Sequence, residues 1–537
     1  MTIAPPSTAA TTPRRRVGTW LLLPWLLLSL LGTVWALATP IGGSPDEPAH
    51  VIKAASVVRG ELLPSEMGYV GGILDVPAGF DAEHSQGCFP FDATESAACA
   101  PEFEGDPSVI VESHSSASLY NPVYYWIVGW PSLLAPDVVG IYAMRILSAI
   151  VCSFFIAVSF WMIGSWRSRR LPALGVVAGV TPMVIYLLGT VNPNTLEFTG
   201  GLAIFTAMLS IVLHPDESLL RRRLVLLVVA SLLVSNTRGI SPLWVALLLA
   251  IPLVLLTGRQ LIALLRRPSV LVSIALIIVG ALFSAWWTFS TNSLGTAPST
   301  GPTVASTNPG VGLSPLEGFT TMVQGFTLQI RQMIGILGWL DTFFHPSVYY
   351  AFFVVFGLVG LAALVWARGR RLVFVVLMGL VFFFAPPVLQ AGFVTSGGFI
   401  WQGRYTLVLL MTLMLAFGAA AAYSARFQRF EQRMLGRRVI AAGTAIILGI
   451  WWAGSTWGFS TTMRRFTVGY LDDWSEMVDP GAWVPPLGAW TLIVLFGLLS
   501  AGLAAWLVLA TRLPKVVAAA AETDETAEPV RNRIGAP

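Results

Sequence analysis

The sequence is short of charge. Only 11% of its 537 residues are Asp, Glu, Lys or Arg, against about 25% in a soluble domain, while 55% are apolar. A water-soluble globular protein is excluded. Lysine is almost absent, Lys53 and Lys515 being the only two among 32 basic residues. Three cysteines and five histidines, with no CxxC or Cys/His spacing, leave no ligand set for structural zinc. No Walker loop, no GxGxxG before a strand and no nucleophile elbow is present, so cytoplasmic nucleotide chemistry has no visible site. The net charge of +4 suggests no nucleic-acid partner, because the charges are segregated along the chain and not gathered in one basic patch.

What the chain has in place of charge is length of apolar run. A bilayer core about 30 Å thick takes about 20 apolar residues per helix. Twelve such runs are found, at 17–38, 138–163, 171–189, 197–213, 220–235, 241–257, 270–289, 347–366, 372–391, 404–422, 439–459 and 488–511. The expected fold is therefore all-α and polytopic, with about 12 transmembrane helices and a long extracytoplasmic first loop. Arg14 to Arg16, Arg167 to Arg170, Arg221 to Arg223, Arg259 to Arg267, Arg368 to Arg371, Arg426 to Arg438 and the C-terminal tail all fall on one side of that model. Arginine near span ends is retained in the cytoplasm, so both termini are expected there, in a bacterial plasma membrane. Arg14-Arg15-Arg16 before a run ending Ala36-Leu37-Ala38 is also what a signal peptide offers, but the run exceeds the 7 to 15 or so residues of a signal core. It reads as a retained span.

The expected organisation is a cytoplasmic tail, 1–16, then a transmembrane module, 17–290, carrying the external segment 39–137. A second external loop, 291–346, precedes C-terminal helices, 347–511, and a disordered tail, 512–537. Residues 39–118 hold 13 acidic and two basic side chains and read as a folded extracytoplasmic segment. Residues 290–346 read as a flexible stretch running into an interfacial helix from about 315 to 338. Tyr120 to Leu134 is aromatic, apolar and too short to span, which suits a re-entrant or interfacial helix. Cys88 and Cys99 lie in the first external loop, in an oxidising compartment, and are expected to pair. Cys152 lies in the second span as a packing residue. His84, His114, His214 and His345 read as surface histidines.

Just outside the first span the chain reads Ser44-Pro45-Asp46-Glu47-Pro48-Ala49-His50. Ser44 as N-cap, Pro45 as first helical residue and Glu47 as third make a capping box, an account that requires neither Asp46 nor His50. On the resulting helix Asp46, His50 and Lys53 fall at i, i+4 and i+7, one polar stripe at the membrane surface. A partly desolvated carboxylate there can act as a general base on an incoming hydroxyl. Capping alone and catalysis both remain open at this point.

Three elements together carry a resemblance: Pro45-Asp46-Glu47-Pro48-Ala49-His50 after the first span, Gly335-Ile336-Leu337-Gly338-Trp339-Leu340-Asp341 before the eighth, and Gln402-Gly403-Arg404-Tyr405 at the tenth. They resemble the signatures of domain of unknown function 2142, a family of bacterial multi-pass membrane proteins, over roughly residues 20 to 510. That family is similar in plan to the GT-C superfamily of membrane glycosyltransferases, which use polyprenyl-phosphate sugar donors and carry acidic residues just after the first span.

The resemblance implies a sugar transferred from a polyprenyl-phosphate-linked donor in the bilayer to an envelope glycan, lipid or protein, with inversion. Asp46 or Glu47 would be the base, with His50 beside them. Arg404 and Arg238, cations at span edges without topological duty, would bind the donor phosphate. Their bland reading is snorkelling or pairing with a structural carboxylate. Gln402, Tyr405, Trp339, Asp341 and Glu197 are the remaining substrate-binding candidates. Asp341 reads equally as an ion-pair partner for Arg404, Trp339 and Trp401 as membrane anchors, and Arg464 with Arg465 as an exposed loop pair. No cofactor is fixed by the sequence and a divalent cation, Mg or Mn, is compatible. Asn194 stands where the family is expected to have Asp, although Glu197 can substitute. The competing readings are a flippase or transporter of lipid-linked saccharides, for which Pro386-Pro387 offers a helix break, and a non-catalytic scaffold.

Overall fold

A computed structural model describes residues 17–68, 71–294 and 308–511. The expectations for the two tails and for the flexible part of the second loop lie outside the described residues. The architecture is all-α and multi-pass. Each of the twelve apolar runs is helical, and among the described residues nine helices are long and apolar enough to cross a membrane. The pair Arg170–Gly179 and Pro182–Leu188, bent by 71° at its break, is apolar and long enough to make a tenth if the two helices form one broken span. Pro182 has no N–H to continue the first helix, and the Thr181 hydroxyl accepts from Val184 N while donating to Met333 O. The remaining two runs fall short of the twelve full spans expected. Glu217–Ser235 begins with Arg221 to Arg223 in its first two turns, and Ser241–Leu255 is a shorter apolar helix.

Two spans form the centre: Pro193–Leu213 and Gly403–Ala422 are each 89% buried, against 28% for the peripheral Pro268–Ser290. Close packing at the centre depends on glycine. A Cβ on Gly175 would lie 2.3 Å from Met414 O, and one on Gly418 2.3 Å from Leu171 O, so two backbones touch where lipid offers no hydrophobic drive for association. Pro386 and Pro387 sit inside one continuous helix, Arg370–Gly397.

Outside the spans, β1 (Met67–Gly68), β2 (Gly71–Pro77) and β3 (Ile110–Ser115) form an antiparallel sheet, with Leu74 opposite Ser113. Cys88 and Cys99 are disulfide-bonded. The helix Met434–Val468 has 35 residues, about 52 Å at 1.5 Å each, and outreaches the bilayer core. Its last turns carry Arg465 into the disulfide loop, where the guanidinium donates to Phe89 O (2.8 Å), Asp92 O (3.0 Å), Glu95 O (3.3 Å) and Asp341 Oδ2 (3.0 Å). Two expectations are corrected here. Arg465 is buried and not an exposed loop residue, and Asp341 pairs with Arg465, not Arg404.

Tyr120 to Leu134 folds as two short helices, Val123–Val128 and Pro131–Leu134, with Trp126, Trp130, Leu133 and Leu134 exposed. The single helix expected from about 315 is two, Pro315–Gln324 and Phe326–Gly335, parted at Gly325. His214 is half-buried, stacked on Trp166, and not a surface histidine.

Candidate functional site

The helix after the first span begins at Glu47 and runs to Val58, with Asp46 as its N-cap at φ 64°, ψ −4°. The expected capping box on Ser44 is therefore not formed. Asp and Asn tolerate this left-handed conformation better than other side chains, and the turn sends the two neighbouring carboxylates in different directions.

Glu47 points inward and is fully buried. It forms a two-pronged pair with Arg145, at 2.9 Å and 2.5 Å, and its Oε1 also accepts from Val191 N at 2.9 Å. Fully buried and with both oxygens engaged, Glu47 serves in this geometry as a structural carboxylate. Asp46 points outward, its side chain 42% exposed, and pairs with Arg404, whose side chain is 1% exposed.

The surface stripe Asp46, His50, Lys53 is corrected as well, because the external segment folds back over the helix and buries the last two. His50 Nδ1 meets the Tyr125 hydroxyl at 2.8 Å, beside the Tyr120 ring. Burial, opposed by the Asp46 charge, brings the imidazole down to about 4, so it is neutral at physiological pH. Lys53 Nζ donates to Leu62 O (2.6 Å) and Ser118 O (2.5 Å), clamping the two chain crossings that bound the external layer. Burial lowers it to about 8.

Around the Asp46–Arg404 pair the structure gathers residues that are remote in sequence. Tyr405 is the centre: the Arg238 guanidinium lies 4.1 Å from its ring centroid and that of Arg404 5.3 Å, with Arg404 Nη2 also 3.4 Å from the Tyr405 hydroxyl. Such cation–π contacts strengthen when desolvated. Arg238 occupies the turn before Ser241, with Glu197 Oε1 at 3.8 Å, and the Ser241 hydroxyl donates to Glu197. Glu197 thus balances Arg238 from the start of the central span.

The donors left over define the site's chemistry. Arg404 Nε and Nη1 and Arg238 Nη1 are buried without a hydrogen-bond partner among the described residues, as is Gln402 Oε1. Buried donors without partners are costly, and the two free Arg404 nitrogens, with Arg238 Nη1 engaged only by the 3.8 Å ion pair to Glu197, fit an oxyanion beside the Tyr405 ring.

Trp339 and Asp341 belong to a different assembly. Trp339 Nε1 donates to Gly42 O at 2.8 Å, its ring packs on Phe91, and Asp341 accepts from Phe91 N at 3.0 Å. Both fasten the disulfide loop over the first turn outside the membrane. No group of three or more His, Cys, Asp or Glu suited to a metal occurs among the described residues. Sequence reasoning missed Tyr120, Tyr125 and two buried glutamines, Gln332 and Gln390. Gln332 Oε1 accepts from Gly403 N at 2.6 Å, while Gln390 Oε1 accepts from Ile400 N (3.2 Å) and Trp401 N (2.8 Å).

A family model described as "Predicted membrane protein (DUF2142)" matches residues 28–413. No curated protein matches the chain. Among solved structures, ArnT from Cupriavidus metallidurans bound to undecaprenyl phosphate is similar at 13% identity and a TM-score of 0.39, covering 92% of this chain and 77% of that chain.

Proposed function

The chain belongs to the DUF2142 family of membrane proteins, and from that premise we propose a GT-C-type glycosyltransferase of the bacterial plasma membrane, both termini cytoplasmic. It moves a sugar from a polyprenyl-phosphate donor to an envelope acceptor outside the cell. One observation carries the reading: an exposed carboxylate, Asp46, touches a buried arginine 358 positions away whose remaining donors are open. The module 17–290 supplies Asp46 and Arg238, the C-terminal helices 347–511 supply Arg404, and the site is shared between them.

In the reaction, the acceptor hydroxyl gives its proton to Asp46 while its oxygen bonds to the anomeric carbon opposite the phosphate. The bond from that carbon to the phosphate oxygen breaks, the electron pair leaves with the lipid phosphate, and the configuration inverts. Arg404 and Arg238 carry the charge that develops on the leaving group. Gln402 and Tyr405 line the phosphate side, and Glu197 holds Arg238 in place.

The test is sugar transfer in native membranes from polyprenyl-phosphate donors, with and without EDTA to read magnesium or manganese dependence. Arg404→Ala and Arg238→Ala are each expected to lose transfer by about 10²-fold or more, the scale of losing one oxyanion donor. Transfer at the wild-type rate in both variants sinks the assignment.

A further inference from the structure

The Asp46–Arg404 contact raises a question that the transfer reaction leaves open, because a base whose oxygen is held by a guanidinium has that oxygen occupied. We propose that this ion pair is a resting-state gate. The anionic phosphate of the incoming lipid takes Arg404 and releases Asp46, so the base is freed only when the donor is seated. The proposal rests on the transferase reading above.

The two partners differ in freedom. Arg404 is the fixed one. The loop that presents it is held by two buried glutamines: Gln332 takes the Gly403 amide, and Gln390 takes the Ile400 and Trp401 amides while its Nε2 donates to Gly398 O at 2.8 Å. A Cβ on Gly403 would lie 2.5 Å from Gln329 O, so this backbone is pressed against the helix Phe326–Gly335 with no room to yield. Asp46 is the movable partner. Its side chain is 42% exposed, it makes no capping bond to its own helix, and its carboxylate has Arg404 as its sole hydrogen-bond partner among the described residues. An exchange of partners on Arg404 therefore proceeds by the carboxylate swinging out.

Charge and donors agree with an exchange. Within the protein, Asp46 and Glu197 balance Arg404 and Arg238. Glu197 is buried and held by Ser241, so the Arg238 pair stays. A phosphate seated on the open Arg404 Nε and Nη1, with the Glu197-paired Arg238 beside it, brings excess negative charge next to Asp46 and repels it from the guanidinium. Gln332 and Gln390 act here as positioning residues, through Arg404.

The experiment is titration calorimetry of detergent-purified protein with decaprenyl monophosphate as probe. A competing internal carboxylate lowers apparent affinity by the fraction of open sites, so with about nine-tenths of the molecules paired, Asp46→Asn binds about tenfold tighter than wild type. Asparagine tolerates the left-handed backbone, and equal melting temperatures verify the fold. Arg404→Ala abolishes binding, and Gln390→Ala weakens it in both the wild-type and Asp46→Asn backgrounds. If Asp46→Asn binds no tighter than wild type, while wild type binds and transfers, the gate is overturned and the transferase reading stands. If neither wild type nor Asp46→Asn binds the probe, gate and reading fall together.

Discussion

Arg145 and Arg404 are both buried arginines, and they take their carboxylates from adjacent residues, Glu47 and Asp46. All that follows differs. The Arg145 guanidinium has five hydrogen bonds for its five N–H groups. Two go to Glu47, and the others to Ala36 O (3.1 Å), Thr39 O (2.7 Å) and Pro40 O (3.2 Å). It ties the end of the first span to the next helix, and through Glu47 to the turn at Val191. Arg404 has its carboxylate, a Tyr405 contact and two idle nitrogens. Arg145 is a saturated joint, whereas Arg404 keeps two of its three nitrogens free for the phosphate of the proposed reaction.

The sharpest way to break that comparison is to remove each cation. Arg145→Ala strands a buried Glu47, and breaking such a pair costs about 3–5 kcal/mol, so the variant is expected to express poorly and melt far below wild type. Arg404→Ala leaves a half-exposed Asp46 and is expected to melt close to wild type. Equal losses of thermal stability would erase the distinction.

Arg465 sharpens the comparison at intermediate size. Its carbonyl partners and Asp341 engage both terminal nitrogens while Nε has no partner among the described residues, so it is a less complete joint than Arg145, confined to the disulfide loop. Arg465→Ala is expected to cost about 3 kcal/mol, on the scale of one or two charged hydrogen bonds. Limited proteolysis should then cut near residues 89–95 while the spans stay intact. Protection of that loop equal to wild type would contradict the role.

An effect of a different kind, read across pH, concerns Glu83, buried near the Arg145 pair. Burial first, then the Glu47 charge, raises it to about 8, against the pull of Arg145. The folded state thus holds a proton that the unfolded chain releases above the ordinary glutamate range. The stability contribution is full below about 4.5 and falls as pH rises through about 8. Glu83→Gln is expected to flatten the melting temperature across that window. A wild-type slope retained in the variant would show that another group titrates.

Much of the fold was legible because bilayer thickness imposes run length, and runs of 20 apolar residues survive any uncertainty about packing. The runs at 220–235 and 241–257 are the least span-like of the twelve, the first because Arg221 to Arg223 stand at its helix start and the second because its helix is short. Asp46, Arg404 and Arg238 stood out as external or span-edge charges without topological duty, and the structure brings them together. The different settings of Asp46 and Glu47 were not legible, because they turn on the positive φ at Asp46 and on Arg145, 98 residues beyond Glu47. Helical spacing placed Asp46, His50 and Lys53 on one stripe, but periodicity cannot say that the chain between Leu62 and Tyr125 returns to cover two of the three. Gln332 and Gln390 carry no sequence signal at all, being uncharged residues whose importance lies in the backbone amides they hold.

The central claim is that Asp46 accepts the acceptor's proton. Its most direct test is sugar transfer by purified protein in proteoliposomes from a synthetic polyprenyl-phosphate sugar, with Asp46→Asn beside wild type. The expected result is a loss of about 10²- to 10⁴-fold, the range for a general base, at an unchanged melting temperature and with undiminished binding of the lipid phosphate. Transfer by Asp46→Asn at the wild-type rate would contradict the account.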